Sequence, residues 1–242
     1  MNGGIKFPPG SEETLKKFTE RLRVIYGSCL ISVVLYGSAA RGEFGGRGSD
    51  INLLIVLADT SLANLARARG LIRSGPFRKI HPVFFNEDEI AASLDVFPIE
   101  FLDIKDNGRI LYGKDIFKGA SVDTRNLRYQ CELEIRSRLT MIRSQYLFLS
   151  DISDTEKLLF RSLTSSIHIM RNLLRLKGVE PPSGSARILI EVERSCGVDV
   201  KAFNEALWAR SKGMKLSRAE TGAILAGLVN GVEHIARIID GL

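Results

Sequence analysis

The chain has 242 residues, 45% of them hydrophobic and 26% charged. That is enough to bury a sizeable core and more than one domain usually holds, so two modest domains are expected and a disordered or fibrous chain is excluded. The net charge of +6 is spread, with 16 basic and 14 acidic residues up to Ala120 and 18 and 14 beyond; so even a distribution supports a mild preference for anionic ligands but does not indicate a nucleic-acid face.

Apolar runs such as LLIVLA are far shorter than the roughly 18 residues a membrane span needs, so no transmembrane helix is expected. The opening MNGGIKFPPGSEE lacks a basic region followed by an apolar stretch, so a cytoplasmic location is expected. Cys29, Cys131 and Cys196 are odd in number and far apart, and suit neither a disulfide framework nor a structural zinc site.

In chain order, Leu15, Phe18, Leu22 and Ile25 recur at helical spacing, and the β-branched run LISVVLYG then reads as a strand. After a glycine-rich connection, INLLIVL reads as a second strand, Ser61 to Ile72 as a helix and HPVFF as a short strand broken at Pro82. NEDEIAASL is expected to be a helix capped by Asn86 with Glu89 as box partner. FPIEFLDI is expected to be another strand, with Glu100 on one face and Asp103 on the other, solvated or capping; the DNG after it is a tight turn into RILYG.

From about Asp123 the pattern is helical only. Leu127, Cys131, Ile135, Leu139 and Ile142 mark one long helix. A second is signalled by Ser153 with Glu156 and runs through Leu159, Leu163, Ile169 and Leu173. Shorter helices follow around Ile188 and Ala206, and a last one opens at Ser217 with Glu220 and carries Ile224, Leu228 and Ile235. Trp208 is expected in the bundle core. The expected architecture is α+β: a mixed sheet flanked by helices over 1–120, then an all-α bundle over 121–242.

The segment LYGSAARGEFGGRGSDINLLIVL concentrates polar residues between two strands. Gly37 and Ser38 start a turn that offers backbone N–H groups and a hydroxyl to an anion. Eleven residues separate Ser38 from Asp50, enough for a turn and a loop before the chain re-enters as a neighbouring strand. Period-two alternation then puts Asp50 and Asn52 on one face and Ile51 and Leu53 on the other. A carboxylate in an apolar strand is costly unless paired or metal-bound, so Glu100 needs a partner.

A hydrophobic strand, Gly-Ser, a gap of about a dozen residues, an Asp-hydrophobic-x-hydrophobic strand and a later acidic strand resemble the DNA polymerase β-type nucleotidyltransferase superfamily, over about 65 residues from Leu35 to Glu100. Gly37, Ser38, Asp50 and Glu100 match that motif; Asn52 stands where the superfamily places a second acid. The two-part layout is similar to kanamycin-type and other minimal nucleotidyltransferases. SDINLLIVL, FPIEFLDIK and ILYGKD together resemble bacterial proteins carrying a nucleotidyltransferase domain.

The resemblance implies transfer of a nucleoside monophosphate from an NTP, with ATP the first choice, to a hydroxyl acceptor held between the two halves. It implies Mg²⁺ or Mn²⁺, two ions held by Asp50, Asn52 and Glu100, with Asp50 bridging and Glu100 also able to take the hydroxyl proton. Gly37, Ser38, Arg41 and Ser49 would bind the nucleotide. Asn52 offers a carbonyl oxygen without charge, so the metal set is weakened. A non-catalytic nucleotide-sensing or partner-binding protein of the same fold is the alternative.

Arg161 and His168 share a helix face and superficially resemble the Arg-x4–6-His motif of HEPN-type ribonucleases, but with one histidine and no flanking catalytic set they read as a packed or surface pair. The bundle offers apolar faces on which a second copy could pack as a homodimer.

Overall fold

The computed structural model describes residues 11–42 and 50–242. The chain divides after Val122 into two compact units.

In the first unit, helix α1 (Ser11–Tyr26) buries Leu15, Phe18, Leu22 and Tyr26, a stripe at the spacing that brings one helix face onto a sheet. Strand β1 (Leu30–Tyr36) follows, then β2 (Ile51–Leu57), the short helices α2 (Leu62–Ala66) and α3 (Arg69–Ile72), and β3 (Ile80–Phe85). The segment expected as one helix is thus two short ones. Helices α4 (Glu87–Ala92) and α5 (Pro98–Asn107) and strand β4 (Arg109–Gly113) complete the unit.

The sheet is mixed, in the order β3-β2-β1-β4. β1 is antiparallel to both β2 and β4, while β2 and β3 run parallel, with α2 and α3 supplying the crossover that parallel neighbours require. β3 continues through Pro82 rather than breaking there; proline is tolerated because an outer strand has a side with no neighbour to receive an N–H.

The two faces of the sheet build two separate cores. Val33, Leu35, Ile51, Leu53, Ile55 and Leu57 pack with α1 on one side. Val34, Leu54 and Val56 pack on the other with Ile90 of α4 and Phe101 and Ile104 of α5, and Tyr36 and Phe85 border them. The capping box expected at Asn86 and Glu89 is formed, with Glu89 N–H donating to Asn86 Oδ1 at 2.7 Å and Asn86 N–H to Glu89 Oε2 at 2.8 Å.

The segment FPIEFLDI is a helix, not a strand, and this is the main correction to the sequence reading. Pro98 sits in the first turn, where its missing N–H costs nothing, and Glu100 lies at the positive end of the helix. Alternation over eight residues does not distinguish the two periods when Ile99, Phe101 and Ile104 are all apolar and buried. Gly108 is accordingly not the tip of a hairpin. A β-carbon there would lie 2.3 Å from the Ile104 carbonyl oxygen and 3.0 Å from Val34 Cγ1, so the glycine lets the end of α5 press on β1.

The second unit consists of α6 (Thr124–Tyr146), α7 (Ile152–Leu176), α8 (Ser185–Cys196), α9 (Lys201–Lys212) and α10 (Arg218–Asp240). The apolar stripes expected on α6, α7 and α10 are buried. The capping box of Ser217 and Glu220 is present. α7 instead begins two residues earlier than Ser153 signals, because Asp151 accepts the Asp154 N–H at 2.8 Å. Trp208 is 55% exposed and is not a core residue. Arg161 is exposed on α7 and His168 half-buried.

Among the described helices α10 is long and apolar enough to cross a membrane by length and composition, contrary to the expectation from apolar runs. It packs against α6, α7 and α9 and buries Ile224, Leu225, Leu228, Val232, Ile235 and Ile239 among them, as the core helix of a bundle does. Cys131 is buried and Cys29 and Cys196 partly so; all three are free thiols.

Candidate active site

β1 ends at Tyr36 and the chain turns at Gly37, whose φ of +74° lies in the region that favours glycine. The N–H groups of Ala40 and Arg41 both donate to the Gly37 carbonyl, at 3.1 and 3.2 Å, and that of Gly42 to Ala39 at 3.3 Å. The result is a single helical turn anchored by the buried Ala39 and Ala40. Ser38 is half-buried at its start, and the turn itself does not use the amides of Ser38 and Ala39.

Strand register brings the next residues to this turn. Asn52 lies opposite Tyr36 in the antiparallel pair and beside His81 in the parallel one, so Tyr36, Asn52 and His81 form a row across β1, β2 and β3. Alternation from Leu54 and Val56 puts Asn52 and Asp50 on the face that α4 and α5 cover. Asp50, immediately before β2, places Oδ1 3.2 Å from His81 Nε2; the two side chains are 60% and 57% exposed. Gly37 lies under the same group, since a β-carbon on it would come within 3.1 Å of Asn52 Nδ2.

Glu100 is half-buried in the first turn of α5. Burial, and then the negative charges of Glu100 and Asp103, push the Tyr36 phenol above its ordinary range. Tyr36 thus feels the charge of the helix that carries Glu100 from its place in the Asn52 row.

Asp103 is neither solvated nor a cap. Its side chain is 5% exposed and receives one guanidinium nitrogen of Arg41, itself 12% exposed, at 2.6 and 2.9 Å on its two oxygens. Asn107 Nδ2 adds a third bond, to Oδ1, at 3.1 Å. Arg41, expected to face phosphate, thus ties the glycine-serine turn to α5. Ser49 lies outside the described residues.

A cleft of about 630 Å³ is lined by Tyr36, Asn52 and His81, together with Arg73 and Arg78. A larger open groove of about 910 Å³ runs along α6 and holds none of these residues.

The family model for the nucleotidyltransferase domain matches residues 15–119, which span every residue named in this cleft. The whole chain is similar in fold to the spectinomycin adenyltransferase AAD(9) from Enterococcus faecialis, crystallised with ATP and spectinomycin: identity is 13%, the TM-score 0.60, and the match covers 92% of this chain and 99% of that one. A nucleotidyltransferase-like protein from Exiguobacterium sibiricum also matches, at 12% identity and a TM-score of 0.39, over 93% of this chain and 75% of that one. No curated protein matches the sequence.

No three His, Cys, Asp or Glu side chains among the described residues gather closely enough to hold a metal ion. What the described residues do offer is the Asp50 carboxylate with the Asn52 amide and the His81 imidazole beside it. Carboxylate and amide oxygens and an imidazole nitrogen are all donor types that a divalent ion accepts.

Sequence reading missed His81, Tyr36, Arg73 and Arg78 as members of this cleft, and Asp103 as the partner of Arg41. HPVFF was legible as a strand, but its parallel register against β2, which sets His81 beside Asn52, leaves no local signal.

Substituting Gly37→Ala is expected to cost about 1–2 kcal/mol, because alanine pays for a positive φ and its methyl group meets Asn52. Urea unfolding reads the loss, and a smaller rise in melting temperature on adding ATP reads the damaged turn.

Proposed function

We propose that the protein transfers a nucleoside monophosphate from an NTP, with ATP as donor, to a hydroxyl group of an acceptor, in a reaction that depends on a divalent ion, Mg²⁺ or Mn²⁺. The observation that supports this reading is the strand register that sets Asn52 opposite Tyr36, directly before the Gly37–Gly42 turn, with Asp50 against His81 at the start of the same strand. The match of residues 15–119 to the family model for the nucleotidyltransferase domain supports the reaction class, and the fold similarity to an adenyltransferase crystallised with ATP supports the choice of donor.

In this reading Ser38 and the free amides of the turn hold the outer phosphates, while the exposed Arg73 and Arg78 offset their charge. Asp50 supplies the charged ligand to the ion and Asn52 a neutral carbonyl oxygen. Such an ion polarises the phosphoryl oxygens and stabilises charge that builds on them in the transition state. Glu100 accepts the proton of the acceptor hydroxyl.

Asn52 specifically favours a second reading, that of a nucleotide-binding protein that no longer catalyses. Transfer assays with each NTP and a panel of hydroxyl acceptors separate the two. We expect native activity, and an increase of about tenfold in Asn52→Asp from the restored charge. Activity found only in the Asn52→Asp variant overturns the enzyme reading in favour of the second.

A further inference from the structure

We propose that His81 is a ligand of the divalent ion, occupying with its imidazole the role that the uncharged Asn52 fills weakly, and that the site therefore binds Mn²⁺ in preference to Mg²⁺. This rests on the reading above, which puts an ion at Asp50, and adds a donor that the sequence motif does not contain.

The geometry points to His81 from three directions. Its strand runs parallel to β2 with His81 level with Asn52, so the imidazole starts from the neighbouring strand at the same height. Its Nε2 lies 3.2 Å from Asp50 Oδ1. Two donors bound to one ion at about 2.1 Å and at right angles sit about 3 Å apart, so a small rotation of each side chain converts the contact into a shared ion. Finally, both side chains are more than half exposed, and His81 lines the cleft, which leaves room for an ion with its waters and phosphate oxygens.

The strand holds the imidazole in place without core repacking. Ile80, before it, is buried against the α1 face of the sheet, which fixes the backbone and aims His81 to the other side. The contact with Asp50 is an exposed pair, and pairs of that kind contribute too little to resist an ion. Arg73 and Arg78 line the same cleft and balance phosphate charge rather than compete for the metal.

Donor type decides the preference. Mg²⁺ demands oxygen ligands and binds imidazole poorly, whereas transition metals accept it. Exchanging one carboxylate for a histidine and an amide moves the site from the first class toward the second.

Pulsed electron paramagnetic resonance of Mn²⁺ tests this on the full-length protein. Inorganic tripolyphosphate replaces the nucleotide, so no ligand nitrogen comes from a base. The native protein is expected to show ¹⁴N coupling from a bound imidazole and to hold Mn²⁺ about tenfold tighter than Mg²⁺. His81→Leu, at an exposed position, is expected to keep the native circular dichroism but lose the nitrogen coupling and about tenfold in Mn²⁺ affinity. His81→Asp is expected to retain Mn²⁺ without nitrogen coupling and to narrow the preference over Mg²⁺.

Mn²⁺ bound by the native protein with no nitrogen coupling, but released by Asp50→Ala, overturns the role of His81 and leaves the proposed reaction standing. Nitrogen coupling that survives His81→Leu overturns it too, since His168 or His234 is then the source. A native protein that takes up no Mn²⁺ overturns both this inference and the metal dependence on which it rests.

Discussion

Asp50→Ala is expected to lower kcat/KM for nucleotide transfer by about a thousandfold, the scale of losing one preorganised charge partner of a transition state, while leaving the urea midpoint unchanged. The two halves of the expectation come from the same geometry. Asp50 is 60% exposed at the start of β2 and its contact with His81 is an exposed pair, so the fold draws little from it. It is also the charged side chain beside Asn52 and the Gly37 turn, so the ion and the triphosphate draw much from it. Steady-state kinetics with ATP set against urea unfolding of the same preparations measures both. A variant with native kcat/KM removes Asp50 from the chemistry, and with it the proposed site.

Asp103→Ala is expected to do the opposite, lowering stability by about 3–5 kcal/mol by breaking a buried ion pair from one side. Arg41 is 12% exposed, so water cannot replace the lost carboxylate well. The pair bridges 62 positions of sequence, from the turn after β1 to the second turn of α5, and its loss also frees the helix that carries Glu100. Urea denaturation reads the stability. A double variant, Arg41→Met with Asp103→Leu, is expected to recover most of it, because apolar groups of similar volume replace a buried ion pair at little net cost. A loss under about 1 kcal/mol in Asp103→Ala contradicts the burial on which this rests.

Much of the fold was legible because local signals coincided with it. The β-branched runs of β1 and β2, the cap residues Asn86 and Ser217 with their partners three positions on, and the apolar stripe of α6 each state their structure within a dozen residues. The helix α5 was misread because its window is apolar on nearly every side, so a period of two and a period of 3.6 fit it alike. Trp208 was misplaced since an aromatic residue on a helix says nothing about which way the helix faces.

The site divides along the same line. Asp50 and Asn52 were placed on one face by alternation within a single strand, and the structure puts them there. His81, Tyr36 and the Arg41–Asp103 pair come together only through register and tertiary packing, for which a single sequence carries no period to read.

β3 has a consequence beyond the reaction. Among the described residues it is the outermost strand beside Asn52, and such an edge is the kind of surface on which foreign strands dock and aggregates begin. Pro82 interrupts its row of N–H donors directly after His81, and an incoming strand meets a gap where it would need a continuous ladder. The residue that looked like a flaw in the strand pattern therefore acts as a safeguard, working against the sealing of the cleft's rim by a neighbouring molecule.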